Sequence, residues 1–80
     1  MAQWLYYPKL VFPDCNFTND EIKSAVRKQF GEETCLDATA EVNGGLIEFR
    51  VLVDSVAPAE VGKVIKGVYD KRKNQATKVA

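Results

Sequence analysis

The residues able to do chemistry are few in this chain of 80 amino acids, because it contains no histidine. Histidine is the most frequent general base and the most frequent metal ligand in proteins. Nucleophilic catalysis needs a serine, cysteine or lysine beside a base that orients it. Ser24 and Ser55 have no motif around them, and Cys15 lacks neighbouring positive charges that would favour its thiolate. We therefore predict that the chain is not an enzyme.

Two pairs of adjacent carboxylates, Asp20 with Glu21 and Glu32 with Glu33, are the other candidates for acid–base or metal chemistry. Both pairs flank a predicted helix, where acidic residues serve capping and solubility. Catalysis or metal binding would need carboxylates that converge in a cleft, which a two-layer domain of this size seldom has. The Asn-Gly-Gly segment at 43–45 lacks the helix and lysine of a phosphate-binding loop. The sequence therefore predicts no cofactor and no metal.

Cys15 and Cys35 are the only cysteines of the chain. Two thiols without histidine cannot complete the four ligands of a structural zinc site, and their spacing differs from the C-x-x-C of redox proteins. We expect two partly buried thiols in a reducing compartment, with a disulfide between them as the alternative. No apolar run approaches the about 20 residues needed to span a membrane, and no secretion signal is visible. The expected location is cytoplasmic.

The formal net charge of zero hides an uneven distribution of charges. Residues 1–60 carry five basic and ten acidic side chains, whereas residues 61–80 carry six basic and one acidic. A basic segment of this kind can be a solvated helix end, a surface for an acidic protein or a surface for nucleic-acid phosphates. The candidate basic surface consists of Lys63, Lys66, Lys71, Arg72 and Lys73. A neutral chain is atypical of domains that bind nucleic acid by charge, but the three interpretations stay open.

The first elements that would position these residues are a strand and a helix. Residues 4–12 are aromatic and β-branched, which predicts a strand, and Pro8 places this strand at a sheet edge or interrupts it. Thr18 is the predicted N-cap of a helix over residues 19–30, with Glu21 completing a capping box. The apolar side chains that recur at helical spacing are Ile22, Ala25, Val26 and Phe30.

Two alternating segments on either side of residues 43–45 predict a β-hairpin. Asn-Gly is the strongest signal for a two-residue type I′ turn, which places the turn at Asn43 and Gly44. This register pairs Leu36 with Val51 and directs both toward the core, together with Ala38, Ala40, Ile47 and Phe49. The opposite face carries Cys35, Asp37, Thr39, Glu41, Leu46, Glu48, Arg50 and Leu52.

A second helix is predicted from Pro58, with Val61, Val64, Ile65 and Val68 on its apolar face. Residues 75–80 are predicted as a tail, with a short last strand through Thr77 and Val79 as the alternative. The order strand, helix, strand, strand, helix predicts one α+β domain over residues 1–80, built as a two-layer sandwich. This is the ferredoxin-like pattern with its last strand missing or marginal, which implies no function by itself.

The sheet face away from the helices is the predicted interaction surface. We expect Leu10 and Phe12 to face the helices, and Tyr7 and Val11 to join Leu46 and Leu52 on the uncovered face. Exposed aromatic and aliphatic clusters rimmed by charge are typical of protein interfaces. The alternative is that the N-terminal segment folds over and covers itself, or that Trp4 and Tyr6 fill the core. The residues predicted to bind a partner are Trp4, Tyr6, Tyr7, Val11, Asp37, Leu46, Glu48, Arg50 and Leu52.

The predicted function is therefore a non-catalytic protein-interaction module: an adaptor, a small subunit or an inhibitor. Self-association as a homodimer, through the uncovered face or along the first strand, is its simplest form. The alternative function is a nucleic-acid-binding accessory protein that uses the basic second helix and tail. The uncovered face is net acidic and would repel a phosphate backbone, which argues against RNA binding in the usual ferredoxin-like mode.

Overall fold

The computed structural model describes residues 1–13 and 15–77, excepting the side chains of residues 76 and 77. Within these residues the order of elements is strand, helix, strand, strand, helix, as the sequence predicts. The elements are β1 (Ala2–Leu10), α1 (Asn19–Phe30), β2 (Cys35–Asn43), β3 (Leu46–Asp54) and α2 (Pro58–Thr77). Neither helix has the length and apolar content needed to cross a lipid bilayer.

The three strands form one antiparallel sheet in the order β1-β3-β2. The two helices lie on one face of this sheet, where α1 packs on β2 and on α2. The side chains of β3 that point to this face are Ile47, Phe49, Val51 and Val53, all at most 1% exposed. They share a single apolar cluster with Ile22 and Val26 of α1 and with Val61, Ile65 and Tyr69 of α2. The molecule is therefore a small α+β domain with one helix-covered sheet face.

Helix α1 begins and ends where its sequence predicts. The Thr18 hydroxyl accepts a hydrogen bond from the Glu21 N–H at 3.1 Å, which satisfies one of the free donors of the first turn. Gly31 has a φ of 110°, and its N–H donates to the Arg27 carbonyl at 2.7 Å. A residue with a Cβ atom is strained at this φ, so Gly31 ends the helix without that cost.

The hairpin register differs from the predicted one. Asn43 is the last residue of β2 and pairs with Leu46, so the two-residue turn consists of Gly44 and Gly45. Of these two, only Gly44 has a positive φ, at 65°. This matches a type II′ turn, which needs glycine at the first central position, rather than a type I′ turn. The shift moves each cross-strand partner by two residues. Because side chains alternate with a period of two, each residue paired by the shift stays on its predicted face of the sheet.

The prediction for Leu36 is wrong because a β-bulge interrupts β2 between Cys35 and Asp37. The bulge adds one residue to β2 and reverses the alternation before it. Cys35, predicted on the uncovered face, pairs with Val53 and is fully buried, whereas Leu36 is 48% exposed. The thiol thus fills the core position that the sequence pattern assigned to leucine.

Helix α2 is longer than predicted. Its backbone continues through residues 75–77, which the sequence predicts as tail or last strand. Residues 78–80, including the Val79 of the predicted last strand, lie outside the described residues.

Candidate interaction face

The sheet face away from the helices, named the open face, is set by strand alternation. Its members in β1 are Ala2, Trp4, Tyr6, Pro8 and Leu10, and its members in β3 are Leu46, Glu48, Arg50, Leu52 and Asp54. The third row, from β2, consists of Asp37, Thr39, Glu41 and Asn43. The open face therefore combines apolar side chains along β1 with carboxylates along β2.

Seven of the nine residues predicted to bind a partner lie together on the open face. They are Trp4, Tyr6, Asp37, Leu46, Glu48, Arg50 and Leu52. Cross-strand pairing places Trp4 beside Leu52 and Tyr6 beside Arg50. Trp4 and Tyr6 are 53% and 50% exposed, although large aromatic side chains are usually buried. These two rings form the centre of the candidate site.

Tyr7 and Val11 do not belong to the open face, so this part of the prediction is wrong. Tyr7 pairs with Phe49 on the helix-covered face, and its hydroxyl donates to the Pro58 carbonyl at 2.6 Å. Strand β1 ends at Leu10, and Val11 lies beyond it. The chain leaves the sheet after Val11, whose N–H still bonds to the Gly45 carbonyl, so Phe12 enters the core from a loop and its burial does not indicate the orientation of β1.

Leu10 is the main open-face residue that the sequence pattern did not reveal. It is 69% exposed and pairs with Leu46. Its even-numbered position in β1, shared with Trp4 and Tyr6, is the signal that would have identified it. Assigning Leu10 and Phe12 to the same face concealed that signal.

Tyr6 is held in place by two charged neighbours on β3. Its hydroxyl donates a hydrogen bond to Glu48 Oε1 at 2.8 Å, and the Arg50 guanidinium lies 5.6 Å from the centre of its ring. Arg50 also contacts Glu48 Oε2 at 3.4 Å. The hydrogen bond to Glu48, followed by desolvation and the carboxylate charge, raises the pKa of Tyr6 above its usual value. The phenol therefore stays neutral at physiological pH and acts as a fixed donor.

A shallow depression of about 400 Å³ lies beside these residues, lined by Trp4, Thr39, Glu41 and Arg50. It offers one ring face, one cation and one carboxylate within a small area. A recess of this shape and composition can receive an aliphatic or basic side chain of another protein.

The charge of the open face is negative. Asp37, Glu41, Glu48 and Asp54 contribute four carboxylates, whereas Arg50 is the cation facing them across the strands. Lys23 of α1 reaches the Asp37 carboxylate at 3.6 Å from the rim. Asp54, at the far end of β3, is paired with the amino group of Met1 at 3.1 Å. With these three cations counted against the four carboxylates, the face carries one net negative charge, which favours positively charged partners.

The cations of the alternative basic surface do not all lie on the same side of α2. Lys63 and Lys71 border the groove between α1 and α2, and Lys63 also pairs with Glu60 at 3.6 Å. At 3.6 residues per turn, Lys66 and Lys73 project from a different side of the helix. The Lys73 ammonium lies 6.0 Å from the centre of the Tyr69 ring.

Arg72 is turned toward the body of the protein. Its guanidinium donates to the Asn16 carbonyl, forms an ion pair with the Glu21 carboxylate and lies 4.9 Å from the centre of the Phe17 ring. Phe17 and Glu21 belong to the start of α1 and the loop before it. Arg72 therefore joins the two helices, and the predicted basic surface loses one of its five cations.

The two cysteines are free thiols in the structure, which agrees with the preferred prediction over a disulfide. Cys35 is fully buried, and desolvation raises the pKa of its thiol. Within residues 1–13 and 15–77, no three histidine, cysteine or carboxylate side chains are placed to hold a metal ion.

Comparison with known proteins gives no relative: no protein-family model, curated protein or solved structure matches the chain. Function is therefore inferred from the geometry of the open face.

Proposed function

We propose that the chain is a non-catalytic protein-interaction module that binds its partner through the open face. The observation that carries this proposal is the exposure of Trp4 and Tyr6 side by side on the edge strand β1, on a sheet face whose other two strands carry carboxylates. Tryptophan, tyrosine and arginine are the residue types most enriched at the energetic centres of protein interfaces. All three types meet on this face, since Arg50 pairs with Tyr6.

The arrangement of Tyr6 supports binding because the ring is already ordered. Its hydrogen bond to Glu48 and the arginine beside it fix its position before a partner arrives. Association is weakened by about 0.5–1.5 kcal/mol for each flexible side chain that must be immobilised, and a fixed ring avoids this cost.

The partner that fits this face has an apolar centre and basic residues around it. Trp4, Leu10 and Leu46 would bury apolar surface, while Asp37 and Glu41 would meet lysine or arginine side chains at the rim. Complementary charge speeds association and excludes acidic competitors. A nucleic-acid backbone is such a competitor, which makes a protein the favoured partner.

The fold contributes a second part of the proposal. The order β1-β3-β2 is compatible with the first three strands of a ferredoxin-like sheet, in which a fourth strand would lie beside β1. We infer that the domain is of this type and acts as an adaptor, small subunit or inhibitor. The free thiols of Cys15 and Cys35 favour the reducing cytoplasm as its location.

Site-specific photo-crosslinking in native lysate tests the proposal. A photoreactive residue replaces exposed Glu41, which lines the depression beside Trp4, and a matched control places it at exposed Lys66 on α2. We expect protein adducts at position 41 that disappear when Trp4→Ser is added. Adducts confined to position 66 would show that the open face is not the binding surface, and adducts at 41 that survive Trp4→Ser would show that Trp4 does not carry the binding. Crosslinks to nucleic acid at position 66 alone would favour the alternative function.

A further inference from the structure

The outer edge of β1 carries backbone groups that point away from the sheet. The Val11 N–H donates to the Gly45 carbonyl at 3.1 Å, which extends the β1·β3 ladder by one pair. In an antiparallel ladder, alternate residues bond to the neighbouring strand. The odd-numbered residues of β1 therefore bond to β3, and the N–H and C=O groups of Ala2, Trp4 and Tyr6 point to the free edge. In the described part of the chain, nothing hydrogen-bonds to these six groups.

The free edge has a defined end at Pro8 and Leu10. Pro8 is also an even-numbered residue, so the position that lacks an N–H is one that faces outward. The outward carbonyl of Leu10 accepts a hydrogen bond from the Tyr69 hydroxyl at 2.6 Å. The part of the edge that can receive another strand is thus residues 2–6.

The opposite edge of the sheet, on β2, is partly occupied by side chains. The same alternation makes Ala38, Ala40 and Val42 the outward residues there. The Ala38 N–H donates to Asp37 Oδ1 at 2.8 Å, and the Ala40 N–H donates to Asn19 Oδ1 at 3.0 Å. Acceptors from the chain itself therefore occupy two of the three outward N–H groups of β2, whereas no such acceptor reaches the outward N–H groups on the described edge of β1.

The sequence of the free edge also allows another strand to pair with it. Residues 2–8, Ala-Gln-Trp-Leu-Tyr-Tyr-Pro, contain no charged side chain. Soluble proteins usually protect a long edge strand with charges, bulges or a covering element. An uncharged edge also meets no like-charge repulsion when it pairs with an identical copy, whereas the acidic open face would.

We propose that β1 pairs antiparallel with β1 of a second copy, about a twofold axis at Trp4, to form a continuous six-stranded sheet. In this register Ala2 faces Tyr6 of the second copy, and the three residue pairs exchange six backbone hydrogen bonds. The open face then gains an apolar row of Leu52, Trp4 and the same two residues of the second copy.

The neighbouring register, with its axis at Leu5, is less favourable. It would place the Pro8 ring opposite Ala2, whose carbonyl would then lack a donor. An axis at Trp4 leaves Pro8 outside the paired segment. The pairing uses backbone groups at the edge and leaves the open face uncovered, so it does not depend on the proposed function.

Sedimentation equilibrium on the wild type and two variants tests this pairing. Tyr6→Pro removes an outward N–H and leaves the β1·β3 ladder intact, as Pro8 does in the native chain. The matched control Tyr6→Thr removes the same side chain and keeps the N–H. We expect the wild type and Tyr6→Thr to change from 8.9 kDa to twice that mass between roughly 1 µM and 1 mM. Tyr6→Pro is expected to stay monomeric throughout.

Amide exchange of the wild type gives a readout that needs no variant. When the protein is concentrated, exchange at Trp4 and Tyr6 should slow at least tenfold, while Leu5, already bonded to β3, should change little. A wild type that stays monomeric at 1 mM would overturn the proposal. So would a dimer that forms without slower exchange at Trp4 and Tyr6, or a folded Tyr6→Pro variant that dimerises as the wild type does.

Discussion

Replacing Arg72 by methionine tests whether this residue is a structural clamp or part of a basic binding surface. The guanidinium contacts three groups near the start of α1: the Asn16 carbonyl, the Glu21 carboxylate and the Phe17 ring. Methionine keeps much of the aliphatic stem and removes the charge and the donors. The variant therefore isolates the polar contacts that join α2 to α1.

The stability lost in Arg72→Met can be estimated from the solvent exposure of Arg72 and of the groups that it contacts. The side chains of Arg72 and Glu21 are 32% and 30% exposed, so solvent limits their ion pair to roughly 0.5–1 kcal/mol. The hydrogen bond to the Asn16 carbonyl adds about 1 kcal/mol and the cation–π contact about 0.5–1 kcal/mol. We expect Arg72→Met to lower the free energy of unfolding by about 2 kcal/mol, or the Tm by roughly 8–16 °C for a domain of this size.

Urea denaturation with a matched variant measures this effect. Lys71 is the exposed neighbour of Arg72 and carries the same charge, so Lys71→Met should change the stability by less than about 0.5 kcal/mol. A double-mutant cycle with Glu21→Gln should assign about 0.5–1 kcal/mol to the ion pair. Equal stabilities for Arg72→Met and Lys71→Met would refute the clamp and return Arg72 to the basic surface.

Three further predictions concern helix α2, the tyrosines and the thiols. Gly67→Ala should raise the free energy of unfolding by about 0.5–1 kcal/mol, because a Cβ at this position meets no atom within 4 Å. Gly62→Ala should not raise it, because its Cβ would lie 3.0 Å from the Tyr7 ring. Equal gains at both sites in thermal melts would contradict the packing of Tyr7. All three tyrosines have a raised pKa in the folded state, so the stability that they contribute is fully present below pH 10 and is lost as pH rises through the raised values. Ultraviolet titration should accordingly show later ionisation in the native than in the urea-unfolded chain, and coincident curves would argue against these hydrogen-bonded, desolvated phenols. A thiol reagent should label partly exposed Cys15 first and reach buried Cys35 only on opening of the fold, whereas equal rates would place both thiols at the surface.

Local patterns in the sequence predicted the elements well because each pattern is a short-range physical requirement. Thr18 and Gly31 bound helix α1, since the first free N–H groups need an acceptor and the last turn needs a residue that tolerates positive φ. The alternation of β3 identified its buried face, because all four inward side chains are apolar. These signals need no knowledge of the rest of the chain.

The errors arise where a non-local contact decides the outcome. Nothing near Leu36 marks the β-bulge that exchanges it with Cys35, and two glycines after Asn43 permit either of two turns. The burial of Tyr7 depends on the Pro58 carbonyl, which lies 51 residues away along the chain.

The same limit applies to Arg72. Its helical neighbours are lysines, and only the folded chain brings Glu21 and Asn16 to it. The lysines around Arg72 in the sequence predicted that it lies on the basic surface, whereas its contacts in the folded chain place it between α1 and α2. The open face was identified correctly on β3, where alternation places Leu46, Glu48 and Arg50 on one side, whereas on β1 the alternation was assigned to the wrong faces.

The most direct test of the proposed function is the affinity of a partner captured at the open face for two single variants. Trp4→Ser removes an exposed ring from the β1 row of that face, and Val42→Ser removes an apolar side chain of similar exposure (57% against 53%) from the opposite side of the sheet. For an aromatic residue at an interface centre, we expect Trp4→Ser to weaken binding about 30-fold or more and Val42→Ser to change it less than about twofold. Equal affinities for the two variants, both folded, would contradict the claim that the open face binds the partner.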